Sequence, residues 1–380
     1  MFKETIDFIR QLYGQPEGFI ALHEPRFVGN EKAYVADAID STFVSSVGKY
    51  VDRFEQMVAD YTGAKYAIAT VNGTAALHVA LRLAGVKAGD EVITQPLTFV
   101  ATCNAIAYAG ATPHFTDVDL DTLGLSPQKL HERLEQIGQK TPEGCINKTT
   151  GKRIAACVPM HAFGHPARID EIAALCAEWG IALVEDAAES LGSFYKERHT
   201  GTFGLLGTLS FNGNKTITTG GGGMILTDDE ALAKAAKHLT TTAKVPHPYE
   251  YMHDTVGYNY RLPNLNAALG CAQMEQLDRL LQSKRELASE YGQFFQEGFA
   301  RFVKEPENSR SNYWLNAIIL PDAGTQRSFL EETNQAGAMT RPIWRLMNRL
   351  EMYRHSPAGN LDNAIWLEER VVNIPSSARL

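Results

Sequence analysis

Lys215 is the residue whose surroundings most clearly suggest covalent chemistry. It lies in the segment SFNGNKT (residues 210–216), and Thr218, Thr219 and four glycines at 220–223 follow. A lysine amine attacks an aldehyde only in its neutral form, so a reactive lysine needs a pocket that favours that form or a cofactor aldehyde with which it condenses. A polar, glycine-rich segment is also typical of a lysine in a solvated turn. The segment alone leaves both interpretations open.

Pyridoxal phosphate is a cofactor that supplies such an aldehyde, and its binding makes three further demands on a protein. Its phosphate needs an anchor, its ring nitrogen needs a carboxylate that keeps it protonated, and its ring needs an aromatic face. Candidates for all three occur upstream of Lys215.

The candidate carboxylate is Asp186. The apolar run from Ile181 to Val184 predicts a buried strand that ends in Glu185 and Asp186. A carboxylate at the C-terminal end of a parallel strand points into the crevice where open α/β sheets bind ligands. Either acid could instead be the N-cap of the next helix, which is common after strands.

The candidate phosphate anchor is the start of an Ala- and Leu-rich helix after residues 66–70, where Gly73 and Thr74 stand. Free N–H groups and the helix dipole attract a phosphate there, and a threonine hydroxyl adds a donor. An ordinary strand-to-helix turn with Thr74 as cap is the alternative. Phe99, at the next strand-to-helix junction, could stack on a flat heteroaromatic ring or belong to the core.

Six ordered segments together resemble the motifs of one known family. They are NGTAAL (72–77), TFVAT (98–102), PMHAFGHP (159–166), EDAAE (185–189), the lysine segment and GYNYRL (257–262). The family is that of the DegT/DnrJ/StrS sugar aminotransferases, and the resemblance runs from about Phe19 to about Ser377. It implies the α/β fold type I architecture of aspartate aminotransferase, with a mostly parallel large-domain sheet covered by helices on both faces and a smaller α/β C-terminal domain.

The resemblance also implies a role for each candidate residue. Lys215 tethers pyridoxal 5′-phosphate as an imine, Asp186 meets the ring nitrogen, and Phe99 stacks on the ring. The phosphate is held by Gly73, Thr74 and Ser210. Asn259 reaches the phosphate of the neighbouring subunit, so the predicted active unit is a homodimer with active sites at the subunit interface.

Two positions depart from the pattern of many relatives. Asn212 stands where many carry histidine, and Glu189 stands where many carry glutamine. Glu189 is expected beside the phenolate oxygen of the cofactor, which a second negative charge would repel. We therefore expect Glu189 to be protonated, turned away or paired with a donor.

The Asn-Gly-Asn-Lys form followed by four glycines resembles the branch that aminates C4 of nucleotide-linked 4-keto-6-deoxy sugars in legionaminic acid, bacillosamine or perosamine assembly. Segments LTTTAKVPHP (239–248) and YWLN (313–316) favour the first of these. The implied ping-pong reaction moves an amino group from L-glutamate to UDP-2-acetamido-2,6-dideoxy-hexos-4-ulose, for polysaccharide or glycan sugar biosynthesis. Lys215 then acts as tether and as general acid and base.

Other functions remain as alternatives. The substrate could be GDP-4-keto-6-deoxymannose, as for a perosamine synthase. A dehydrating or deoxygenating relative would carry histidine in place of Lys215, and a non-enzymatic regulatory protein that binds the cofactor would not require Lys215, Asp186 and Ser210 together. A dinucleotide dehydrogenase lacks support because no Gly-x-Gly-x-x-Gly follows an early strand.

Composition agrees with a cytoplasmic enzyme. The net charge of −8 and the absence of a dense Lys/Arg run argue against nucleic acid as a partner. The five cysteines are scattered, with no metal-ligand spacing, so we expect reduced thiols and no metal. Residues 1–14 predict an amphipathic helix rather than a signal sequence, and no apolar stretch is long enough to span a membrane.

The order of apolar patterns predicts two lobes. Strands and helices alternate from Tyr66 to about Leu226, which predicts the mostly parallel sheet of a large cofactor-binding domain over residues 1–265. Residues 266–380 form the predicted small domain. We expect a helix after Ser126-Pro127, a surface hairpin within 139–152, and one long helix from Asn264 to about Phe295 that bridges the lobes.

Several further residues lie where ligand contacts are conceivable. His161 and His165 follow a strand and could face the crevice, or could be loop histidines bonded to backbone. By resemblance, residues 341–344 (RPIW) lie where relatives approach the nucleotide, and Ser46, Gly48 and Lys49 lie where relatives approach the substrate. An ordinary solvated loop is the alternative for both segments.

Overall fold

A computed structural model describes residues 2–45 and 47–380 of the chain. The α-helices, in chain order, are α1 (Lys3–Tyr13), α2 (Glu31–Asp40), α3 (Lys49–Thr62), α4 (Gly73–Leu83), α5 (Val100–Tyr108), α6 (Pro127–Ile137), α7 (Ile169–Trp179), α8 (Glu230–Thr240), α9 (Asn264–Met274), α10 (Leu277–Phe294), α11 (Ala323–Gln335) and α12 (Asp362–Glu368).

The strands form one large sheet and three smaller ones. They are β1 (Tyr66–Thr70), β2 (Glu91–Thr94), β3 (Thr112–Phe115), β4 (Gly138–Thr141), β5 (Gly144–Asn147), β6 (Arg153–Val158), β7 (Ala182–Asp186), β8 (Phe194–Tyr195), β9 (Arg198–His199), β10 (Leu206–Ser210), β11 (Gly223–Thr227), β12 (Lys244–Val245), β13 (Met252–His253), β14 (Arg301–Phe302), β15 (Ser309–Arg310), β16 (Asn316–Ile319), β17 (Arg341–Pro342) and β18 (Val371–Ile374).

The large sheet has the strand order β1-β11-β10-β7-β6-β2-β3. The pairs from β10 through β7, β6 and β2 to β3 are parallel, and only β11 runs against its neighbours β1 and β10 in this series. The prediction of a mostly parallel sheet is therefore confirmed. Parallel strands need crossover connections, which the helices supply.

Both faces of this sheet are covered by helices. Met224 and Leu226 of β11 lie in a core with α3 and α9, whereas Ile225 between them lies in a second core with α4 and α8. Alternate side chains of a strand point to opposite faces, so this division shows a helical layer on each side. A third core fills the space between the sheet and helices α6 and α7.

The strand ends that will matter for function meet at one edge. β7 ends at Asp186, β10 ends at Ser210, and β1 ends at Thr70, just before the start of α4. β1 and β10 both pair antiparallel with β11, so they run in the same direction as β7. The carboxyl ends of all three strands consequently lie at the same edge of the sheet, with β11 between β1 and β10. Open α/β sheets bind ligands at this edge.

The second lobe is built on the sheet β14-β16-β18-β17 with α10 and α11. The amphipathic helix α1, confirmed at Lys3–Tyr13, places Ile9 in this core although it lies far from these elements in sequence. A separate mixed core joins the lobes, with Leu97 and Phe163 packed in one cluster with Trp314 and Leu315. The division at residues 265 and 266 stays a prediction.

Local sequence signals account for several elements. The hydroxyl of Ser126 accepts the N–H of Lys129, and Pro127 occupies the first turn of α6, as predicted. The surface hairpin within residues 139–152 is confirmed as β4 and β5, and Asn147 after its turn donates to the buried Glu91 of β2.

The single long helix from Asn264 to Phe295 is a wrong prediction. The chain ends α9 at Met274 and begins α10 at Leu277. α9 packs with α2 and α3 in the large lobe, and Leu277, Leu280 and Leu281 at the start of α10 share that core. Leu287 and Tyr291 further along α10 pack in the second lobe, so α10 is the helix that bridges the lobes. Apolar periodicity continues through the break, which is why the sequence pattern did not reveal it. None of the helices in the described ranges combines the length and apolar character that crossing a bilayer requires.

Lys284 of α10 is a fully buried amine in the second lobe. Its Nζ donates to the carbonyl oxygens of Trp314 at 3.1 Å and Ser376 at 2.7 Å. Burial disfavours the charged form and lowers the pKa of this amine to about 7.

We predict a pH-dependent stability difference between the wild type and Lys284→Met. Because the folded pKa lies below the unfolded one of about 10.4, the unfolded state binds more protons between roughly pH 7 and pH 10. The free energy of unfolding of the wild type should therefore rise relative to Lys284→Met across this window, by up to about 1.4 kcal/mol per pH unit. Urea unfolding at several pH values measures this difference in the free energy of unfolding, and Lys32→Met, at an exposed position, is the control. A constant difference would contradict the burial argument.

Candidate active site

A cleft of about 690 Å³ opens at the carboxyl edge of the large sheet, between the two lobes. It is lined from the large lobe by the ends of the strands and from the second lobe by residues near Trp314 and Arg341. Seven of the eight predicted site residues line it: Gly73, Thr74, Phe99, Asp186, Glu189, Ser210 and Lys215.

One end of the cleft is rich in hydrogen-bond donors. Asn72 caps α4 by accepting the N–H of Ala75 at 2.8 Å. Within the described residues, the N–H groups of Gly73 and Thr74 and the hydroxyls of Thr74 and Ser210 have no protein partner. Unpaired donors at the positive end of a helix dipole suit a phosphate.

This donor-rich end depends on close backbone packing. A Cβ added to Gly73 would lie 2.9 Å from the Cβ of Ser210, and one added to Gly223 would lie 2.5 Å from the carbonyl carbon of Asn72. Glycine at these two positions lets β10, β11 and the start of α4 approach one another. The ordinary-turn alternative for Gly73 and Thr74 does not account for this crowding.

Asp186 is buried beneath the middle of the cleft. Its Oδ2 accepts the hydroxyl of Thr102 at 2.7 Å, and Thr102 in turn is 2.7 Å from the hydroxyl of Thr98. Its Oδ1 accepts the N–H of Ala188. Burial raises the pKa of Asp186, and these donors together with the charge of Lys215 oppose that rise. A carboxylate held in this way suits a partner that brings its own positive charge, such as a protonated ring nitrogen.

Phe99 is not a core residue. It is the N-cap residue of α5, and its exposed fraction is 53% although it stands in the cleft wall. An aromatic face left open in a cleft can stack on a flat ring. The core alternative for Phe99 is therefore wrong.

Lys215 is not a solvated turn lysine either. Only 13% of its side chain is exposed. Its Nζ lies 3.4 Å from Oε1 of Glu189 and 3.8 Å from the ring centroid of Trp314. The loop that carries it leaves β10 at Phe211, whose N–H donates to Gly222 where the chain returns to β11.

Glu189 is paired with a donor, which is one of the three arrangements that we expect for an acid beside the phenolate oxygen of the cofactor. Its Oε2 accepts the N–H of Phe163 at 2.9 Å, so the carboxyl group is paired with a donor. Burial raises the pKa of Glu189 to about 7, while the charge of Lys215 and the Phe163 N–H oppose that rise. Phe163 has a left-handed backbone with φ 57°, a strained conformation that aims its N–H at Glu189.

Asn259 is the predicted site residue that does not line the cleft. It is exposed, between Tyr258 and Tyr260, whose rings stack with centroids 4.9 Å apart. The carbonyl of Tyr260 accepts the N–H of Val71, so this segment runs beside the start of α4. Its predicted contact with a neighbouring subunit stays a prediction.

The two histidines of residues 159–166 do not line the cleft. His161 is buried, with Nε2 3.1 Å from Glu185, and its Nδ1 accepts the N–H of Ala167. These contacts make Nε2–H the donor to Glu185. His165 is buried beside Tyr313. Neither is placed to touch a ligand in the cleft.

Residues 341–345 line the second-lobe side of the cleft, as the resemblance implied for 341–344. Arg341 and Arg345 are exposed there, and Trp344 stacks at a tilt on Phe163 with centroids 4.7 Å apart. Lys49 instead pairs with Asp37, and Gly48 packs on Asn264, outside the cleft lining. Ser46 lies outside the described residues.

Three residues that shape the site had no predicted role. Thr102 orients Asp186, Phe163 pairs with Glu189, and Trp314 contacts Lys215. Thr102 and Phe163 stand in segments recognised as motifs, but nothing local marks their hydrogen bonds. Trp314 comes from the other lobe, so only the folded chain shows its contact.

Comparisons with known proteins agree with this site. The family model for the DegT/DnrJ/EryC1/StrS aminotransferases matches residues 25–380. EpsN of Bacillus subtilis (strain 168), whose name assigns it provisionally to the pyridoxal phosphate-dependent aminotransferases, is 36% identical over 95% of this chain and 92% of its own. The GDP-perosamine synthase of Escherichia coli O157:H7 is 36% identical over 94% of this chain and 93% of its own.

A solved structure shows the same fold. The aminotransferase TlmJ from Streptoalloteichus hindustanus superimposes with a TM-score of 0.86 and 28% identity, over 94% of each chain. The predicted fold type I architecture is therefore confirmed. The donors, carboxylate, open aromatic face and buried lysine of the cleft fit pyridoxal 5′-phosphate, which is the cofactor. The chain belongs to the DegT/DnrJ/EryC1/StrS aminotransferase family and is a pyridoxal phosphate-dependent sugar aminotransferase.

Proposed function

We propose that this aminotransferase moves the amino group of L-glutamate to C4 of a nucleotide-linked 4-keto-6-deoxy sugar. The observation that carries the proposal is the convergence of Lys215, Asp186 and the free donors near Gly73 on one cleft that continues to Arg341 and Trp344. A volume of about 690 Å³ lies within the usual range of ligand pockets, roughly 300–1,000 Å³.

Each group of the cleft has a place in this proposal. The N–H groups and hydroxyls near Gly73, Thr74 and Ser210 would hold the phosphate, Asp186 would hold the ring nitrogen, and Phe99 would cover one ring face. When bound, the cofactor supplies an electron sink for the carbon that loses its proton. The hydroxyl of Thr102 donates to Asp186 and fixes the carboxylate that would hold the ring nitrogen.

Lys215 would perform both proton transfers. Freed from the cofactor, its Nζ would move the proton from the α-carbon of glutamate to C4′ of the cofactor in the first half-reaction, and from C4′ to C4 of the sugar in the second. 2-Oxoglutarate leaves between the two, so the kinetics are ping-pong. Glu189, neutral or paired near pH 7, limits negative charge beside the reacting groups.

The positive charges on the second-lobe side of the cleft support a nucleotide-linked substrate. Arg341 and Arg345 are cations that suit a diphosphate, and Trp344 offers a flat apolar face for a base. L-Glutamate alone would leave this part of the cleft unused.

Two nucleotides are candidates for this side of the cleft. The GDP-linked sugar is supported by the relative from E. coli, named GDP-perosamine synthase, whose similarity extends over most of both chains. The UDP-linked acetamido sugar is supported by the Asn-Gly-Asn-Lys segment at 212–215 and by YWLN at 313–316. Similarity over a whole chain includes the substrate pocket, so we place GDP-4-keto-6-deoxymannose first.

We further propose that the active unit is a homodimer. Asn259 is exposed and lies outside the cleft of its own chain, although its segment runs beside the donor-rich end. These features support a role for Asn259 at the phosphate of a neighbouring subunit, as the resemblance implied.

The covalent role of Lys215 is tested by reduction. We expect the purified protein to be yellow, to bleach with borohydride, and to carry the added cofactor mass on the peptide that contains Lys215. Lys215→Ala should hold no covalent cofactor, because no second amine of the cleft lining can form the imine. Peptide mass spectrometry measures the added mass in both proteins, and covalent cofactor in the variant would refute the assignment of Lys215.

The phosphate site is tested through its packing. Gly223→Ala places a methyl group against Asn72 and displaces the start of α4, whereas the nearest atom to a Cβ on Gly221 is 3.9 Å away. Loss of one or two charge-assisted hydrogen bonds should weaken cofactor binding about 10- to 100-fold in Gly223→Ala. Fluorescence titration with pyridoxal phosphate measures this. Equal affinity in Gly223→Ala and the control Gly221→Ala would place the phosphate elsewhere.

The substrate is tested by parallel assays. The protein is mixed with L-glutamate and either GDP-4-keto-6-deoxymannose or UDP-2-acetamido-2,6-dideoxy-hexos-4-ulose, and 2-oxoglutarate and the aminated sugar are quantified. We expect turnover with the GDP-linked sugar and a several-fold lower kcat/KM in Arg341→Ala. Turnover with the UDP-linked sugar alone would reverse the order of the nucleotides, and no 2-oxoglutarate with either would refute the C4 proposal.

A further inference from the structure

The free amine of Lys215 occupies a defined position. Its Nζ lies 3.8 Å from the ring centroid of Trp314 and 3.4 Å from Oε1 of Glu189. An indole face attracts an ammonium group, and more so when both are shielded from water. Covalent attachment of a cofactor requires neither contact, so the two contacts call for a separate explanation.

Trp314 is fixed by hydrogen bonds on several sides. Its indole N–H donates to the carbonyl of Asn214 at 2.6 Å, which ties the ring to the residue before Lys215. Its backbone N–H donates to Asn312, and its carbonyl accepts Nζ of Lys284. The ring is buried and cannot move without breaking these bonds.

Asn312 couples the ring to the carboxyl group. Its Nδ2 donates to the carbonyl of Glu189 at 2.8 Å and to that of Leu191 at 2.9 Å. A third contact, at 3.3 Å, reaches the hydroxyl of Thr216, the residue after Lys215. One segment of the second lobe thus holds both flanks of the lysine side chain.

We propose that Trp314 and Glu189 form a seat that holds the protonated amine of Lys215 during the steps in which this lysine is free. Resting on the proposed function, the inference assigns Trp314 as a positioning residue. When Nζ takes the proton from the α-carbon, a C–H bond breaks, an N–H bond forms, and the electron pair stays with the substrate carbon. The seat favours the ammonium product and keeps it close enough to return the proton.

The charges near the amine are consistent with this seat. Glu189 and Asp186 are the acids of the cleft, and both are buried. His23 lies behind the loop, where burial lowers its pKa well below the usual value, with the charges of Lys284 and Lys215 next in effect. His23 is therefore neutral, and Lys284 points away to backbone carbonyls. Two exposed arginines also line the cleft, Arg341 and Arg345.

The seat is tested on the cofactor-free full-length chain. The acylation rate of Lys215 by N-hydroxysuccinimide acetate is followed at several pH values by peptide mass spectrometry. Trp314→Leu should accelerate acylation about three- to tenfold at pH 7.5, because the ring face that attracts the ammonium group is lost and the Lys215 amine is released from its position. Trp314→Phe keeps a ring and should stay within about twofold of the wild type.

The pH dependence of the acylation rate distinguishes loss of the seat from easier access of the reagent to Lys215. The acceleration should shrink as the pH rises, because the ring face attracts only the charged form of an amine. Leu22→Ala shortens another side chain of the cleft lining, and it should leave the rate unchanged. An acceleration of Trp314→Leu that is equal at every pH, or none at any pH, would overturn the proposal.

Glu189→Gln gives a second measurement that does not depend on the stability of Trp314→Leu. Above pH 8 the wild-type carboxylate is charged, and Glu189→Gln should acylate about threefold faster; below pH 6 the two should be equal. Equal rates at every pH would remove Glu189 from the seat. The assay contains no cofactor and no sugar, so its failure is distinct from failure of the proposed aminotransfer.

Discussion

The register of four neighbouring strands, β1, β11, β10 and β7, underlies the whole cleft. Asp186 on β7 lies opposite Thr208 on β10, and Gly223 on β11 lies opposite both Ser210 and Thr70. Adjacent strands are about 4.8 Å apart, so this pairing brings a carboxylate, a hydroxyl and the start of α4 within the length of one small cofactor. A slip of one residue would turn these side chains to the opposite face of the sheet.

The register works because the two buried acids in the cleft have hydrogen-bond partners. Thr102 and Ala188 donate to Asp186, and Phe163 donates to Glu189, so burial raises the pKa of each acid without leaving it unpaired. An unpaired buried charge would cost several kcal/mol. The two acids consequently differ in role: Asp186 is prepared for a cationic partner, while Glu189 changes its charge near pH 7.

The second lobe completes the site rather than merely covering it. Trp314 and Asn312 fix the lysine loop from the opposite side of the cleft, and the buried amine of Lys284 fixes the carbonyl of Trp314. Movement of one lobe against the other would therefore change the surroundings of the Lys215 amine directly. The packing between the lobes therefore affects the chemistry of the site as well as the relative position of the lobes.

The sequence by itself determined the alternating elements, the cap of α6 at Ser126, and most of the residues that line the cleft, because these follow from short-range patterns and from ordered motifs. Only the tertiary structure decided that α9 and α10 are separate helices, because the apolar pattern of the sequence continues through the break between Met274 and Leu277. Likewise, the local sequence pattern could not reveal that the N–H of Phe163 donates to Glu189 or that the ring of Trp314 faces the amine of Lys215. Such contacts join residues distant in the chain, and their existence depends on how the two lobes pack.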